Sequence, residues 1–558
     1  MLRFFVGLGF LASIAMTVAP AVAAPAKAAA GHAQLVQLFA DWRAFNHPQI
    51  VRGKPDYSAP AMTAKAARLP EFRARLAAIG TAGWSASQRG DHRLVEAEMN
   101  GLDFFLRVLT PWSRDPGFYQ TVFAEMSDVP AHEGTFAEPN IDLYNYSYPL
   151  SPADDARLTE LLGAIPALLA DAKVNLTPSQ AHDLWAYGDA AFNEQAEALA
   201  KLEAGTLMVN DLAGKRHASL DGASPGLRAA VRGARQASED FARWVKTEAP
   251  RRTGPSGLGK DQYNWYLKHV LLSPYDFDEQ EALLQRELDR SLASLRLEEV
   301  RNRAVPPIAE IDDPAAYRRL GEARVDKLYR LLVDAGFIAD KPYYRSALAA
   351  QLVGHTPLAE RNFFTHITSL EPLPLISHQT HWIELARLVH EPHPSPIRRQ
   401  TPLFNMFEDR SEGWATALEE ILMQAGLYDD VPHGRELVWV MLANRAARGL
   451  ASLRVQANEI GLDEAGKFHA AWTPRGWSDA SSRLVGFEQL LYLRQPGYGP
   501  SYIIGKLQLD RLLAQAAQRA EQQKRPFVFR DTFAAILDSG IVPPAIIEDE
   551  MAESVPAR

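Results

Sequence analysis

The chain has 558 residues, 47% of them apolar and 23% charged, with 59 Lys and Arg against 68 Asp and Glu, a net charge of −9 and no cysteine. Such a chain can bury a large core and form two or more lobes. The absence of cysteine excludes disulfides and thiol catalysis, and the mildly acidic balance argues against nucleic acid or an anionic membrane as partner, since both call for clustered cations.

Taken in chain order, the first feature is export. Arg3 gives a short basic start, Phe4 to Val18 is almost entirely apolar, and Ala21-Val22-Ala23 fits a small-residue cleavage site with Pro25 just beyond. Residues 1–23 therefore read as a secretory signal peptide, with a periplasmic or secreted mature protein. No later segment has a long uncharged apolar run, so no stable membrane insertion is expected.

The remainder reads as all-α with minor β. Thr177 followed by Pro178 and Gln180 predicts a helix start, and the Ala-, Leu- and Glu-rich run to Ala204 predicts one continuous helix. Residues 278–302, 321–336, 412–426, 434–460 and 505–523 carry similar helical periodicity. Short strands are expected near 140–150, where Tyr144, Tyr146 and Tyr148 alternate. Loops are expected at 249–260 and at Ala304-Val305-Pro306-Pro307. The second of these divides a helical lobe over 24–305 from a second over 306–558, with a cleft between them.

The chemistry is concentrated in the second half. His378, His381 and Glu384 stand three apart, so neighbouring members would share a helical face. Two neutral imidazoles about a turn apart can hold a divalent metal, with a carboxylate from elsewhere as third ligand. Glu412 and Glu419, seven apart, would stack on one face of a following helix. This spacing fits a metal site and also fits buried, hydrogen-bonded histidines. His390 and His393 lie among Pro392, Pro394 and Pro396, which forbid a regular helix, so they belong to a turn and are alternate ligands. Arg398, Arg399 and Arg410 flank the region and are expected chiefly on solvated surface. Gly254 to Lys260 lacks the spacing of a phosphate loop, and no Gly-x-Ser-x-Gly elbow occurs.

Several of these segments resemble one family. Glu412-Gly413-Trp414-Ala415 with Glu419, then Gly426-Leu427-Tyr428-Asp429-Asp430, is similar to the Glu-Gly-Trp helix of the bacterial domain-of-unknown-function family 885 (DUF885). Pro496-Gly497 with Tyr502 and Gly505, and the ending from Phe529 to Pro543, resemble its later elements. The likeness covers nearly the whole mature chain and is most specific in its C-terminal half. It implies a helical, zincin-like, often exported protein suspected of hydrolysing peptides. Its usual members carry His-Glu-x-x-Pro-Gly-His-His ahead of the Glu-Gly-Trp helix. Here the corresponding region reads His378-Gln379-Thr380-His381-Trp382-Ile383-Glu384, without the glutamate that would serve as general base.

Three functions follow as expectations. The first is a divergent metallohydrolase acting on peptides or small amides. In it Zn2+ sits on His378, His381 and Glu412 (or on His390 or His393), Glu384 or Glu419 acts as base, and Tyr502 donates to the developing oxyanion. Tyr502 suits a core aromatic equally well. The second is a periplasmic binding or partner-recruiting protein on a scaffold that has lost its metal. The third, a metal-free hydrolase or lyase with paired carboxylates, has no positive support.

Overall fold

A computed structural model describes residues 23–553. The expected signal peptide over 1–23 falls almost wholly outside the described residues. The fold is all-α with minor β: helices joined by turns and a few longer irregular segments, with three two-stranded sheets and two isolated bridges among the described residues. No described helix is long and apolar enough to cross a membrane.

Helix starts follow local chemistry. The Ser85 side chain accepts from Gln88 N while Gln88 reaches back, and Asp276 and Glu279 form the same reciprocal pair at the head of Phe277–Arg301. Asp313 caps Pro314–Asp334, with Pro314 in the first turn, so this helix begins well before the 321 suggested by periodicity. The helix expected at 505–523 likewise starts early, at Tyr498, after Gly497 turns the chain at φ +97°.

Two expectations fail. The run from Pro178 to Ala204 is not one helix but His182–Ala186 and Ala190–Ala204, broken at Gly188. There Ser179 is drawn aside: its hydroxyl donates to Arg114 O and accepts from Trp185 Nε1, and Gly254 N bonds Gln180 O. Thr177 caps nothing and instead donates to Lys173 O. The tyrosines at 144–148 do not form a strand. Only Ile141–Asp142 pairs, with Val122–Phe123, and a 3-10 turn follows because the Arg216 guanidinium gathers the carbonyls of Tyr144 and Tyr146. The hairpin Leu207–Asp211 with Gly214–Ala218 was not foreseen; Gly214 at φ +93° makes its turn.

Buried side chains form two main clusters. One gathers Phe118, Leu162, Trp185, Phe192 and Phe241 from residues 57–249. The larger unites Trp42 and Leu102 near the N-terminus with Leu288, Leu450, Ile503 and Ile547. At its centre Gly434–Gln456 is buried on nearly every face and packs on Phe277–Arg301 and Tyr498–Gln522. Glu408–Gln424 crosses Tyr498–Gln522 at glycine-to-glycine contact: a Cβ on Gly413 would fall 2.3 Å from the Gly505 carbonyl carbon. That close crossing brings the first turns of both helices together.

Candidate metal centre

The chain does not run through His378 and His381 as one helix. Leu373–His378 ends at the first histidine and His381–His390 begins at the second. Gln379 and Thr380 form the turn between them, tied by Thr380 Oγ1 to Ser377 O and by Trp382 N to Gln379 O. Trp382, Leu385 and Ala386 bury the far face of the second helix. Both imidazoles therefore face the start of Glu408–Gln424.

Glu412 meets them. His381 Nε2 lies 3.2 Å from Glu412 Oε2 and His378 Nε2 lies 3.6 Å from the same oxygen. One ligand atom from each of the three residues lies within 4.8 Å of the others. The rings stand 4.9 Å apart at 87°. Tetrahedral bonds of about 2.0–2.2 Å place neighbouring ligand atoms about 3.3–3.6 Å apart, so the two contacts to Glu412 have the right spacing.

Oxygen atoms also lie close to the opposite ring nitrogens. His378 Nδ1 lies 2.9 Å from Glu419 Oε1, and His381 Nδ1 lies 3.3 Å from Ser411 Oγ. An outer partner at Nδ1 leaves Nε2 as the inward nitrogen, the arrangement that orients histidine ligands. Glu419 is itself held by Arg445, 2.7 Å away and fully buried. Glu412 Oε1 accepts from the Tyr498 hydroxyl. This hydroxyl also lies 2.5 Å from Glu133 Oε1, on the irregular segment between Phe123 and Ile141.

Burial works against charge throughout this cluster, and its neighbours decide the outcome. Desolvation opposes the His381 imidazolium, but Glu412 beside it dominates and raises its pKa to about 9. Desolvation also opposes the Glu412 charge, yet His381 and His378 hold that carboxyl well below the usual range. Glu133 is pushed up to about 8 by desolvation and then by Asp128. The Tyr502 ring lies 6.2 Å from that of His378, and the Arg448 guanidinium lies 4.0 Å from the Tyr502 ring centroid. Among the described residues its hydroxyl has no hydrogen-bond partner.

The remaining candidates stand elsewhere. Glu384 turns from the cluster to a two-pronged pair with Arg410, at 3.0 and 2.5 Å. His390 stacks on Tyr343 at 4.2 Å, and His393 Nδ1 accepts from Ser395 N. Neither joins the cluster. Gln379, in the position of the family's glutamate, donates to Gln351 O and lines a separate cavity of about 590 Å³. Arg398 and Arg410 are not surface groups. Arg398 is sealed between Asp91 and Glu550, at 2.7 and 2.5 Å, because the N-terminal helices close over it.

Sequence reasoning missed Tyr498, Glu133, Ser411 and Arg445. Tyr498 stands one helical turn before Tyr502, a spacing that would have paired them. Glu133 lies 365 residues from Tyr498, on a segment without periodicity.

The chain belongs to the family described as bacterial protein of unknown function (DUF885), which matches residues 52–311 and 381–551. The unmatched stretch ends between the two histidines, where the motif departs. No curated protein matches. Among solved structures, a putative lipoprotein of unknown function from Shewanella oneidensis has 12% identity and a TM-score of 0.60, over 95% of this chain and 100% of its own. A putative lipoprotein from Colwellia psychrerythraea has 14% identity and a TM-score of 0.61, over 94% and 98%. At these identities the likeness is one of fold.

Proposed function

We propose that this member of the DUF885 family is an exported, divergent zinc-dependent hydrolase, peptidase-like, acting on peptides or small amides. One observation carries the reading: two imidazole Nε2 atoms converge on one oxygen of Glu412, with a Glu419 carboxylate oxygen and the Ser411 hydroxyl near the two Nδ1 atoms. Zn2+ held by His378, His381 and Glu412 would supply Lewis acidity toward a carbonyl and a more acidic bound water. Within this reading Glu419 orients His378, since its carboxylate is committed to that ring and to Arg445. The free hydroxyl of Tyr502 suits a donor to the developing oxyanion. Export is supported by the signal-like residues 1–23 and by the description of both similar structures as putative lipoproteins.

A second reading keeps the scaffold and drops the chemistry: a non-catalytic periplasmic binding or partner protein. Gln379 favours it, because it replaces the expected base and turns away from the cluster. Zinc analysis of the purified chain separates the two. The hydrolase reading expects about one equivalent, retained in His390→Ala and lost in Glu412→Ala; a zinc-free wild type would refute it.

A further inference from the structure

The cavity of about 590 Å³ that Gln379 lines has no part in the hydrolase reading. Its walls come from the helices Pro314–Asp334, Pro342–Ala350, Phe363–Leu370 and Leu373–His378, and from the irregular residues 352–355. Every residue lining it except Lys215 lies between 312 and 380, the stretch that the family match leaves out. The hairpin brings Lys215 in: its Gly214 turn packs on Ala350 so closely that a Cβ there would fall 3.1 Å from the Ala350 carbonyl oxygen. A cavity of this size suits a small organic molecule.

The lining chemistry narrows the occupant. Leu352, Val353, Leu375 and Ile376 give the cavity an apolar wall. Two side-chain atoms at it, Gln379 Oε1 and His355 Nε2, are buried without a hydrogen-bond partner among the described residues. Gln379 is fixed by the other end of its amide, whose Nε2 donates to Gln351 O at 2.8 Å, so Oε1 is the end left to accept. A buried acceptor without a donor is unfavourable, and a ligand N–H would satisfy it. The His355 ring stands edge-on to Tyr317, 5.8 Å between centroids, and its Nε2 can donate in the tautomer that carries the proton there. Of the charged side chains at the cavity, Arg318 and Glu322 pair with each other at 3.1 Å. Lys215 is exposed and has no ion-pair partner among the described residues, which leaves it as the one uncompensated charge.

We propose that this cavity binds an N-acylated amino acid with an apolar side chain and a free carboxylate. The side chain rests on the apolar wall, and the amide N–H donates to Gln379 Oε1. The acyl carbonyl accepts from His355 Nε2, and the carboxylate faces Lys215. This chemistry is shared by free N-acyl amino acids and by the C-terminal residue of a peptide. The proposal stands on the cavity alone and holds whether or not His378, His381 and Glu412 carry zinc.

Isothermal titration calorimetry on the full chain tests this with N-acetyl-L-phenylalanine, its ester analogue bearing oxygen in place of the N–H, and acetyl-Ala-Ala-Phe. The expected result is one saturable site for N-acetyl-L-phenylalanine, with the ester analogue bound about tenfold more weakly. Gly321→Leu fills the cavity from mid-helix, where a Cβ would meet only Leu352, at 3.4 Å. Leucine is the better helix former, so the fold should hold, a melting curve checks this, and binding should fall about tenfold or more. Gln379→Leu should erase the difference between amide and ester, and Lys215→Gln should weaken binding severalfold, less so at high salt. Tighter binding of acetyl-Ala-Ala-Phe assigns the site to peptide ends; equal or weaker binding assigns it to free N-acyl amino acids. No saturable binding by wild type, or undiminished binding by a folded Gly321→Leu or by Lys215→Gln, overturns the proposal. So does a Gln379→Leu chain that still prefers the amide, and this arm decides if Gly321→Leu does not fold.

Discussion

On the proposed zinc reading, the His381–Glu412 pair ties metal binding to pH in a definite direction. A metal needs the neutral imidazole, but in the metal-free fold His381 keeps its proton up to about pH 9. At pH 7 that proton must be displaced against about two pH units, or roughly 3 kcal/mol. Apparent zinc affinity should therefore rise about tenfold per pH unit from this ring, about a hundredfold between pH 7 and 9. Glu412 is held below its ordinary range and adds no proton there. The stability consequence has the opposite sign. A pKa raised from 6.5 to about 9 contributes to the metal-free fold fully below pH 6.5, and that contribution is lost as pH rises through about 9. Zinc should thus raise the melting temperature more at pH 9 than at pH 7. Competition with a chromophoric chelator across this range gives the slope, and calorimetry in two buffers of different ionisation heat counts the released proton. A flat affinity between pH 7 and 8, or no proton released at pH 7, would refute the coupling.

Two further outcomes test the surroundings. Glu419→Gln removes the carboxylate behind His378 while keeping its shape, and should weaken zinc binding about 10–100-fold with His381 and Glu412 intact, measured by the same competition. Gly413→Ala forces a methyl group into the Gly505 backbone and should destabilise the fold by about 3 kcal/mol or more, seen as a lower urea midpoint; a change below about 1 kcal/mol would mean the helices part easily.

Much of the fold was legible because the later helices carry their own signals. Phe277–Arg301 and Gly434–Gln456 appear in the sequence as long apolar-periodic runs without proline. Where local pattern and tertiary contact disagreed, contact prevailed. Pro178 suits the first turn of a helix, yet the pairing of Gln180 with Gly254 bends the chain before a helix forms. The tyrosines at 144–148 alternate as a strand would, but Arg216 binds the carbonyls that a ladder would use. The three clustered residues were legible as types at a spacing, though not as a shape: His378 and His381 converge because the helix stops between them.

The placement of the carboxylates follows from their partners. His381 and Glu384 stand three apart on the one helix His381–His390, yet only His381 meets Glu412, while Glu384 is drawn into a pair with Arg410. Arg410 and Glu412 are two residues apart on one helix and so project in different directions. Arg410 holds the nearest spare carboxylate out of the cluster while Glu412 enters it. A carboxylate left unpaired beside Glu412 would repel it and raise its pKa, weakening the charge that both imidazoles face. The same accounting explains why Glu419 can sit behind His378 without adding a net negative charge: Arg445 is fully buried against it. Glu384 and Glu419 are thus each paired with an arginine, and Glu412 is the carboxylate on which both imidazole Nε2 atoms converge.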